Sequence, residues 1–545
     1  MNYIELTLIY QNDLQKNCEI YEDIWKGLNH LKNWDENNPD YLTEIQPEAA
    51  LQYFQLSSTY RVLTLQFLTE DDKNYLEKVG LSLVNLELIA QDNFALEENY
   101  IKSLGEDINK QLLPQMNVTL PYQQVLIETG YIYSICPFNG KVIKSNQSFV
   151  INHQEIGHHD LQGFIYRFVG SEVFYLMNGC AMGEKLLIYL PNRELIINLT
   201  HALVPFARPA QSINKFKSYI VSYWQQVKSY LQKEEKKVVD VVGLGFNIGH
   251  YLWQDVAAID SLSRNGKLSK VDKILIGPGE YFSIGDIFPE ILPEDLIYVK
   301  DVWDVFKRVV DNNYVAFRAS ARFIEEPLIN RICEVSLEKC TPGLLNEVER
   351  AKAHFPLLGV QIRTSSRVWL GQAEGIANII QSLYSDFPNL GVVFDGWSLS
   401  GKEDSDSVSW SIIESEKAVM AEILSVIDPA INTYSAIGST TYETVVWAKA
   451  IDLHISPVGA GLIYPSWIAN KPGVLHAHTQ VLNYQDVRKL QSGRSELPYF
   501  DKLIPQVFIP NDSVVDYGDC NYDCDWKVIY NEAVKLIEKL SQERQ

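Results

Sequence analysis

The chain has 545 residues, of which 46% are hydrophobic and 21% charged, a composition typical of a folded protein with more than one domain. Its formal net charge of −22 argues against general binding to nucleic acid or anionic lipid, because both require a positive surface. Any phosphate site is therefore expected to be local, built from a few arginines and backbone amides.

The N-terminus and the cysteines indicate the compartment. The chain opens with a polar segment rather than a signal peptide, and no apolar run is long enough for a membrane span. Seven cysteines without regular spacing are typical of free thiols in a reducing compartment. We therefore expect a cytoplasmic protein with no transmembrane segment.

The sequence of residues 1–237 predicts two regions. Residues 1–118 are predicted to form an α-rich N-terminal region of unknown role, because residues 71–91 have the periodicity of amphipathic helices. Residues 119–237 predict a β-rich subdomain and a linking helix, because short β-branched and aromatic runs alternate with turn residues. The linking helix is predicted over residues 213–237.

From residue 238 onward, continuous apolar strands alternate with amphipathic segments, the pattern of parallel sheets covered on both faces. We predict a Rossmann-like lobe over 238–340 and a second over 341–545. One sheet ends near Phe317 and the other starts near Leu357. The predicted strands are 238–244, 273–277, 296–299, 314–317, 357–362, 391–395, 452–455 and 473–477.

A first glycine-rich segment, Gly243-Leu-Gly245-Phe-Asn247-Ile-Gly249-His250, follows a buried strand and opens a predicted helix. Such a turn lets the backbone approach an anionic ligand. A dinucleotide oxidoreductase would place an acidic residue at the end of the next strand, but that strand runs into a Gly-Pro-Gly turn at 277–279. This absence argues against NAD.

A second glycine-rich segment, Ser456-Pro-Val-Gly459-Ala460-Gly461-Leu462, lies between a predicted strand and an apparent helix over 462–470. Without side chains at the two glycines, backbone amides could face a diphosphate. The structural alternative is a tight strand-to-helix turn.

Two arginines follow the predicted strand 357–362. Arg363 stands at its carboxyl end and Arg367 four residues later. Open α/β sheets bind ligands at this edge, and the planar guanidinium group suits phosphate. A surface salt bridge is the competing interpretation for each arginine.

These segments together resemble glycosyltransferase family 61. The segment 247–255, from Asn247 through His250 to Asp255, is similar to that family's Asn-aromatic-aromatic-His-x-x-x-Asp segment, with shifted spacing. The segment 441–462 resembles its helix, strand and Gly-Ala-Gly-Leu loop. The chain departs from the family at Val458, where the family has His, and at Ile463, where it has Asn.

The resemblance implies a GT-B fold, in which the lobe over 238–340 would face the acceptor and the lobe over 341–545 would hold the donor nucleotide. It also implies a nucleotide-sugar donor, a glycan or glycosylated-protein acceptor, inversion at the anomeric carbon and no cofactor. Metal independence is expected, because no Asp-x-Asp follows a predicted strand. We expect His250 to be the catalytic base, with Asp255 as second candidate. The expected donor-nucleotide residues are Arg363, Arg367, Glu443, Gly459, Ala460, Gly461 and Leu462, and the expected acceptor-side loop is Gly245, Asn247 and Gly249.

Two other functions stay open: a catalytically inactive, transferase-like module that binds glycans or scaffolds an assembly, and another α/β enzyme. Asp523-Cys524-Asp525 has the Asp-x-Asp form but lies beyond the predicted sheets. The histidines at 158–159 and at 476 and 478 have no companion at metal-ligand spacing, so packed or solvated histidines are the favoured interpretation.

Overall fold

The structure is a computed structural model. It describes residues 47–105, 120–156, 159–179, 183–200, 208–245, 247–321, 323–400, 407–478, 502–505 and 521–544. Within these ranges, no helix combines the length and the apolar character needed to cross a membrane. The interpretations made for residues 1–46 and for His158 lie outside the described residues.

The chain divides into two compact units. The first contains Met1–Phe246, Gln254–Glu280 and Ile291–Arg322. The second contains Asn247–Trp253, Tyr281–Glu290 and Phe323–Gln545. Each unit therefore combines segments that are separate in sequence.

The described residues at the start of the first unit, from residue 47 to 105, are mainly helical, as predicted. Residues 71–91 fall in two helices, and a capping box between Thr69 and Asp72 fixes the start of the first. The helices are α1 (Pro47–Ser57), α2 (Glu70–Lys78), α3 (Leu83–Ala90), α4 (Phe94–Ser103) and α5 (Pro121–Thr129), with a 3₁₀ turn at Leu65–Phe67.

The predicted β-rich region is confirmed as an antiparallel meander. Its strands are β4 (Ser148–Ile156), β5 (His159–Val169), β6 (Val173–Gly179), β7 (Glu184–Leu190) and β8 (Leu195–Asn198), and β1 (Arg61–Thr64) adds to β8 in parallel. A separate hairpin pairs β2 (Ile132–Ile135) with β3 (Val142–Ser145), and a 3₁₀ turn lies at Pro191–Arg193. One face packs aromatic rings, such as Phe149 against Phe216 at 5.6 Å between centroids.

The linking helix is not continuous, so the prediction of one helix over 213–237 was wrong. The chain forms α6 (Pro209–Ser222) and α7 (Trp224–Gln232), separated at Tyr223, whose ψ of 34° departs from helical values. The Tyr223 hydroxyl donates to the Asp311 carboxylate at 2.8 Å. The break in the helix thus coincides with a side-chain contact between two residues that are distant in sequence.

The first parallel sheet belongs to the first unit and has the order β11-β10-β9-β12. All four strands were predicted: β9 (Lys237–Val242), β10 (Lys273–Ile276), β11 (Leu296–Tyr298) and β12 (Tyr314–Phe317). The helical segments are Ile248–His250, a π-helical turn Tyr251–Val256, α8 (Ala257–Arg264), 3₁₀ turns Leu268–Lys270 and Pro293–Asp295, α9 (Ile284–Ile287) and α10 (Val302–Asp311). Of these, Ile248–His250, the Tyr251–Trp253 part of the π-helical turn and α9 lie in the second unit.

The second parallel sheet has the order β15-β14-β13-β16-β17-β18 and lies in the second unit. Four strands were predicted, β13 (Leu357–Gln361), β14 (Gly391–Asp395), β16 (Leu453–Pro457) and β17 (Gly473–Ala477), whereas β15 (Asn432–Ser435) and β18 (Lys502–Pro505) were not. Its helices are α11 (Glu326–Lys339), α12 (Pro342–Ala351), α13 (Gln372–Asp386), α14 (Ser407–Val426), α15 (Thr441–Ala450) and α16 (Trp526–Arg544). The prediction of two Rossmann-type parallel sheets after an α-rich and β-rich region is confirmed.

Candidate functional site

The order of the second sheet defines a switch point. From β13 the chain moves outward to β14 and β15, then returns to place β16 on the other side of β13. The carboxyl ends of β13 and β16 therefore flank a crevice, the position at which open α/β sheets bind ligands. The residues that follow these two strands are Ile362–Arg363 and Val458–Gly461, so the sequence-predicted arginine and glycine-rich segments meet at this edge.

Arg363 is held in a defined orientation by its own loop. Its Nε donates to the Ser366 carbonyl oxygen at 2.6 Å, and its Nη2 donates to Ser366 Oγ at 3.3 Å. The Gln372 side chain bonds both backbone groups of Arg363, at 3.3 and 2.9 Å. Among the described residues, no carboxylate forms an ion pair with this guanidinium.

Two effects lower the pKa of Arg363 to about 10. Burial is the larger, and the positive charge of Arg367 adds to it. Arg363 nevertheless keeps some exposure to solvent, since the residue is half-buried rather than buried. Arg367 has a φ of 51°, in the left-handed region that is uncommon for residues other than glycine and frequent at functional sites.

The glycines of the second loop make room for polar side chains from β13. A Cβ atom at Gly459 would overlap Nη1 of Arg363, and one at Gly461 would overlap Nε2 of Gln361. Gly459 has a φ of 170°, an extended conformation open to any residue, so glycine is favoured here by the position of the Arg363 guanidinium rather than by backbone freedom. The loop and the strand end thus form one tightly packed edge.

Two carboxyl groups at the same edge were not singled out from the sequence. Asp395 ends β14, and its Oδ2 accepts from Gln361 Nε2 at 3.3 Å. Glu416, on α14, accepts the Trp397 backbone N–H at 2.6 Å, and a Cβ at Gly396 would overlap its Oε2. An acidic residue directly after the apolar strand 391–394 was a usable signal for Asp395, but nothing in the local sequence marks Glu416.

Burial raises the pKa of both carboxyl groups. The pKa of Asp395 reaches about 7 and that of Glu416 about 8. For Glu416, the neighbouring Asp395 raises the pKa further, while the Trp397 N–H and Arg363 lower it. At neutral pH, Glu416 therefore carries a proton and does not neutralise Arg363.

A small cavity lies between the second sheet and α15. Its volume is about 20 Å³, room for one water molecule, and its lining includes Gln361, Asp395, His454 and Trp447. His454 Nδ1 lies 2.9 Å from Ser456 Oγ, and burial lowers the pKa of His454 to about 3, so the imidazole stays neutral.

The segment predicted as a helix over 462–470 forms two short helical turns rather than one α-helix. The loop runs into a 3₁₀ turn, Ala460–Ile463, and a π-helical turn, Tyr464–Ile468. Leu462 is fully buried, and its N–H donates to the Gly459 carbonyl oxygen at 3.2 Å. No long helix begins here, so a helix dipole contributes little to anion binding.

The turn after the first glycine-rich segment lies against this loop. Asn247 caps it by accepting the His250 N–H at 3.2 Å. A Cβ at Gly249 would lie 3.7 Å from the Ala460 Cβ and 3.8 Å from the Trp467 ring. Asn247, Gly249 and His250 therefore belong to the same unit as the arginines and contact the loop that carries Ala460.

His250 lies in a group of aromatic rings. Its imidazole stacks on Trp253 with 6.2 Å between centroids and 29° between planes. Trp253 in turn meets Trp467 edge-on at 6.4 Å. His250 and Trp253 are half-buried, whereas Trp467 is buried.

Glu443 completes a capping box at the start of α15. Its Oε2 accepts the Thr440 N–H at 2.8 Å and lies 3.0 Å from Thr440 Oγ1, while its own N–H donates to that hydroxyl. Glu443 thereby fixes the beginning of the helix that covers the cavity.

Gly245 belongs to the first unit, at the carboxyl edge of β9. A Cβ at Gly279 would overlap the Gly245 carbonyl oxygen, and the Gly279 N–H donates to the Gly243 carbonyl oxygen at 2.7 Å. The two glycine turns of this sheet pack against each other, which explains why both are rich in glycine.

Asp255 is buried at the same edge of the first unit. Arg318 Nε donates to its Oδ1 at 2.6 Å, and the Gly243 N–H donates to its Oδ2 at 3.0 Å. Burial raises the pKa of Asp255, and the positive charge of Arg318 opposes that shift. Asp240 lies nearby in β9, where burial, with the charge of Asp255, raises its pKa to about 7.

The two weaker metal candidates have other contacts. Asp523 accepts the Trp369 Nε1–H at 2.9 Å and the Cys524 N–H at 2.8 Å. His476 is buried, its Nδ1 lies 2.7 Å from the Tyr522 hydroxyl, and burial lowers its pKa to about 3. Both residues contribute to packing around β17.

No protein-family model matches the sequence, and no curated protein matches it. Among solved structures, the E. coli ADP-heptose LPS heptosyltransferase II is similar at 9% identity over 56% of this chain and 99% of that chain, with a TM-score of 0.33. A family 9 glycosyl transferase from Veillonella parvula gives 10% identity, the same coverages and a TM-score of 0.32.

A UDP-forming α,α-trehalose-phosphate synthase from Burkholderia vietnamiensis is similar at 8% identity over 64% of this chain and 82% of that chain, with a TM-score of 0.25. TM-scores this low do not establish a common fold or activity.

Proposed function

We propose that this protein is a glycosyltransferase that moves a sugar from a nucleotide-sugar donor to a hydroxyl group of a carbohydrate or protein acceptor. The observation that supports this most is the Arg363 guanidinium at the switch point of the second sheet. It is desolvated and held by Ser366, and it has no ion-pair partner among the described carboxylates. An anionic ligand would supply the missing counter-charge, and a diphosphate fits the planar guanidinium group.

The donor diphosphate is assigned to Arg363, Arg367 and the loop Gly459–Leu462. The two positive charges would stabilise the leaving diphosphate as the bond to the sugar breaks, which is the task a divalent cation performs in metal-dependent enzymes. Since Gly459 and Gly461 leave space for Arg363 and Gln361, a larger residue at either position would misplace the groups that bind the donor. Glu443 would act by fixing α15.

His250 is assigned as the catalytic base. The acceptor oxygen attacks the anomeric carbon from the face opposite the diphosphate, its proton passes to His250, and the electron pair of the broken bond leaves with the diphosphate. Inversion follows from this single displacement. An imidazole titrates near neutral pH and needs little tuning for this role.

Asp255 remains the second candidate for the base. Its two oxygens are engaged by Arg318 and by the Gly243 backbone N–H, so proton transfer would require one of these bonds to be given up. This favours His250.

A panel of nucleotide sugars tests the proposal through release of the nucleoside diphosphate. Hydrolysis of at least one donor, reduced in Arg363→Ala and Gly461→Val, is the expected result. Nucleotide binding without turnover for any donor and acceptor would instead favour the inactive, glycan-binding module. Absence of both binding and turnover would contradict the assignment.

A further inference from the structure

The aromatic group around His250 has a geometry that proton transfer alone does not require. A general base needs hydrogen-bond reach to the acceptor hydroxyl and a suitable pKa. Here the imidazole also stacks on the indole of Trp253, at 6.2 Å and 29°. Both residues are half-buried, so each keeps some exposure to solvent.

A second ring, that of Trp467, contacts the Trp253 ring. Trp467 is buried and meets Trp253 edge-on, at 63° between ring planes. Trp467 also lies 3.8 Å from the position that a Cβ would take on Gly249. A Cβ there would make ordinary van der Waals contact, so the turn lies against Trp467, and the edge-to-face contact between Trp467 and Trp253 limits the orientations open to Trp253.

A partly exposed indole whose orientation is restricted suits a ligand with a flat apolar face. A pyranose ring has such a face in its axial C–H groups, while its hydroxyl groups point outward around the rim. A serine or threonine side chain on a polypeptide has no comparable face. A sugar ring lying on Trp253 would bring rim hydroxyls beside the neighbouring imidazole.

A nucleobase could also stack on an indole. The cationic group at this edge is Arg363, which lies against Gly459, whereas Trp253 lies beside His250. The base must be within hydrogen-bond reach of the acceptor oxygen, so a platform beside the base serves the acceptor.

We infer that Trp253 is the platform on which an acceptor sugar packs, and hence that the acceptor is a carbohydrate. This inference rests on the proposed function, because the role of the platform is defined relative to the base. Trp253 would contribute specificity for a ring-shaped acceptor and take no part in proton transfer.

The test compares Trp253→Ala, Trp253→Phe and a matched control, Trp303→Ala. Trp303 is also half-buried and stacks on a neighbouring ring, Phe306, at 5.2 Å, but it belongs to the first unit. Steady-state kinetics with a saccharide acceptor and isothermal titration with the nucleoside diphosphate separate the two substrates. Binding of a printed glycan array provides a readout independent of turnover.

Trp253→Ala is expected to raise KM for the saccharide about tenfold or more, the size of a lost ring-stacking contact, with little change in kcat or in nucleotide affinity. Trp253→Phe should fall between wild type and Trp253→Ala. The control should match wild type. A weakened nucleotide affinity with an unchanged acceptor KM would assign the ring to the donor and overturn the inference.

The outcomes also separate this inference from the proposed function. Donor turnover with normal saccharide kinetics in Trp253→Ala refutes only the platform. Glycan binding that is lost in Trp253→Ala, without donor turnover by the wild type, supports the platform and refutes the transferase. Failure of the wild type to bind any glycan on the array or to use any saccharide acceptor overturns the platform as well.

Discussion

In the first parallel sheet, Arg318 directly follows β12 and donates to Asp255, whereas in the second sheet Arg363 follows β13 and has no ion pair with a described carboxylate. Both arginines stand at the switch point of their sheet. In the first, the charge is neutralised within the protein, and the glycine turns fill the edge. In the second, Glu416 lies close enough to influence Arg363 but carries a proton at neutral pH. The same topological position thus serves stability in one unit and is suited to anion binding in the other.

If turnover depends on groups of the second unit, as proposed, substitution of His250 should give the largest effect. Loss of a general base lowers turnover by about 10²–10⁴-fold, so His250→Ala should do so while nucleotide binding persists. Asp255→Asn should mainly affect stability. If Asp255→Asn loses turnover and His250→Ala does not, the base is Asp255; if both stay active, neither is the base.

Substitution of Arg318 tests whether the ion pair with Asp255 stabilises the first unit. Arg318→Ala leaves the buried Asp255 carboxylate without its cation, and breaking a buried pair in this way costs about 3–5 kcal/mol of unfolding free energy. Urea denaturation of the variant and of Arg363→Ala would measure the contrast. An Arg318→Ala variant as stable as wild type would show that the first edge does not depend on this pair.

The fold could be predicted from the sequence more completely than the candidate site. The eight strands predicted after residue 238 are all present, because parallel strands buried on both faces are continuous apolar runs. The polar strand Asn432–Ser435 lacks that signal and was not found. The segment predicted as a helix over 462–470 is helical up to Ile468, but as short 3₁₀ and π-helical turns, a form that the sequence pattern does not distinguish from an α-helix.

The prediction of the site residues was limited in the same way, because some of them are brought together only by tertiary contacts. Arg363 and the glycine loop could be identified because each follows a recognisable strand. The reason for the glycines could not be predicted, since it depends on Arg363 and Gln361 approaching from β13. Glu416 reaches the edge from the middle of a helix, and no spacing in the sequence indicates that position.

A third prediction concerns pH and the Glu416 carboxyl group. Its pKa in the folded protein is about 8 against an ordinary 4.5, so the folded state keeps a proton that the unfolded chain loses. Stability should therefore fall as pH rises from about 4.5 to about 8, and stay level above that range. In Glu416→Gln this part of the slope should disappear in thermal unfolding followed across the same range. Parallel curves for the two proteins would contradict the raised pKa.

The smallest expected effect is that of a chelator. If Arg363 and Arg367 supply the charge that stabilises the leaving diphosphate, EDTA should leave turnover unchanged. A metal-dependent transferase would lose a contribution of several kcal/mol under the same treatment. Loss of most of the turnover, restored by Mn²⁺ or Mg²⁺, would show that the arginines are insufficient.

The most direct measurement is the binding of nucleoside diphosphates, such as UDP, GDP and CDP, to wild type and Arg363→Ala by isothermal titration. A charge-assisted contact contributes about 1.5–3 kcal/mol, so affinity for the preferred diphosphate should fall by about 10- to 150-fold in the variant. The corresponding monophosphate should bind more weakly to wild type and lose less on substitution. Equal diphosphate affinity in the two proteins, with the fold of both intact, would contradict the assignment of Arg363 as the anion site of the second sheet.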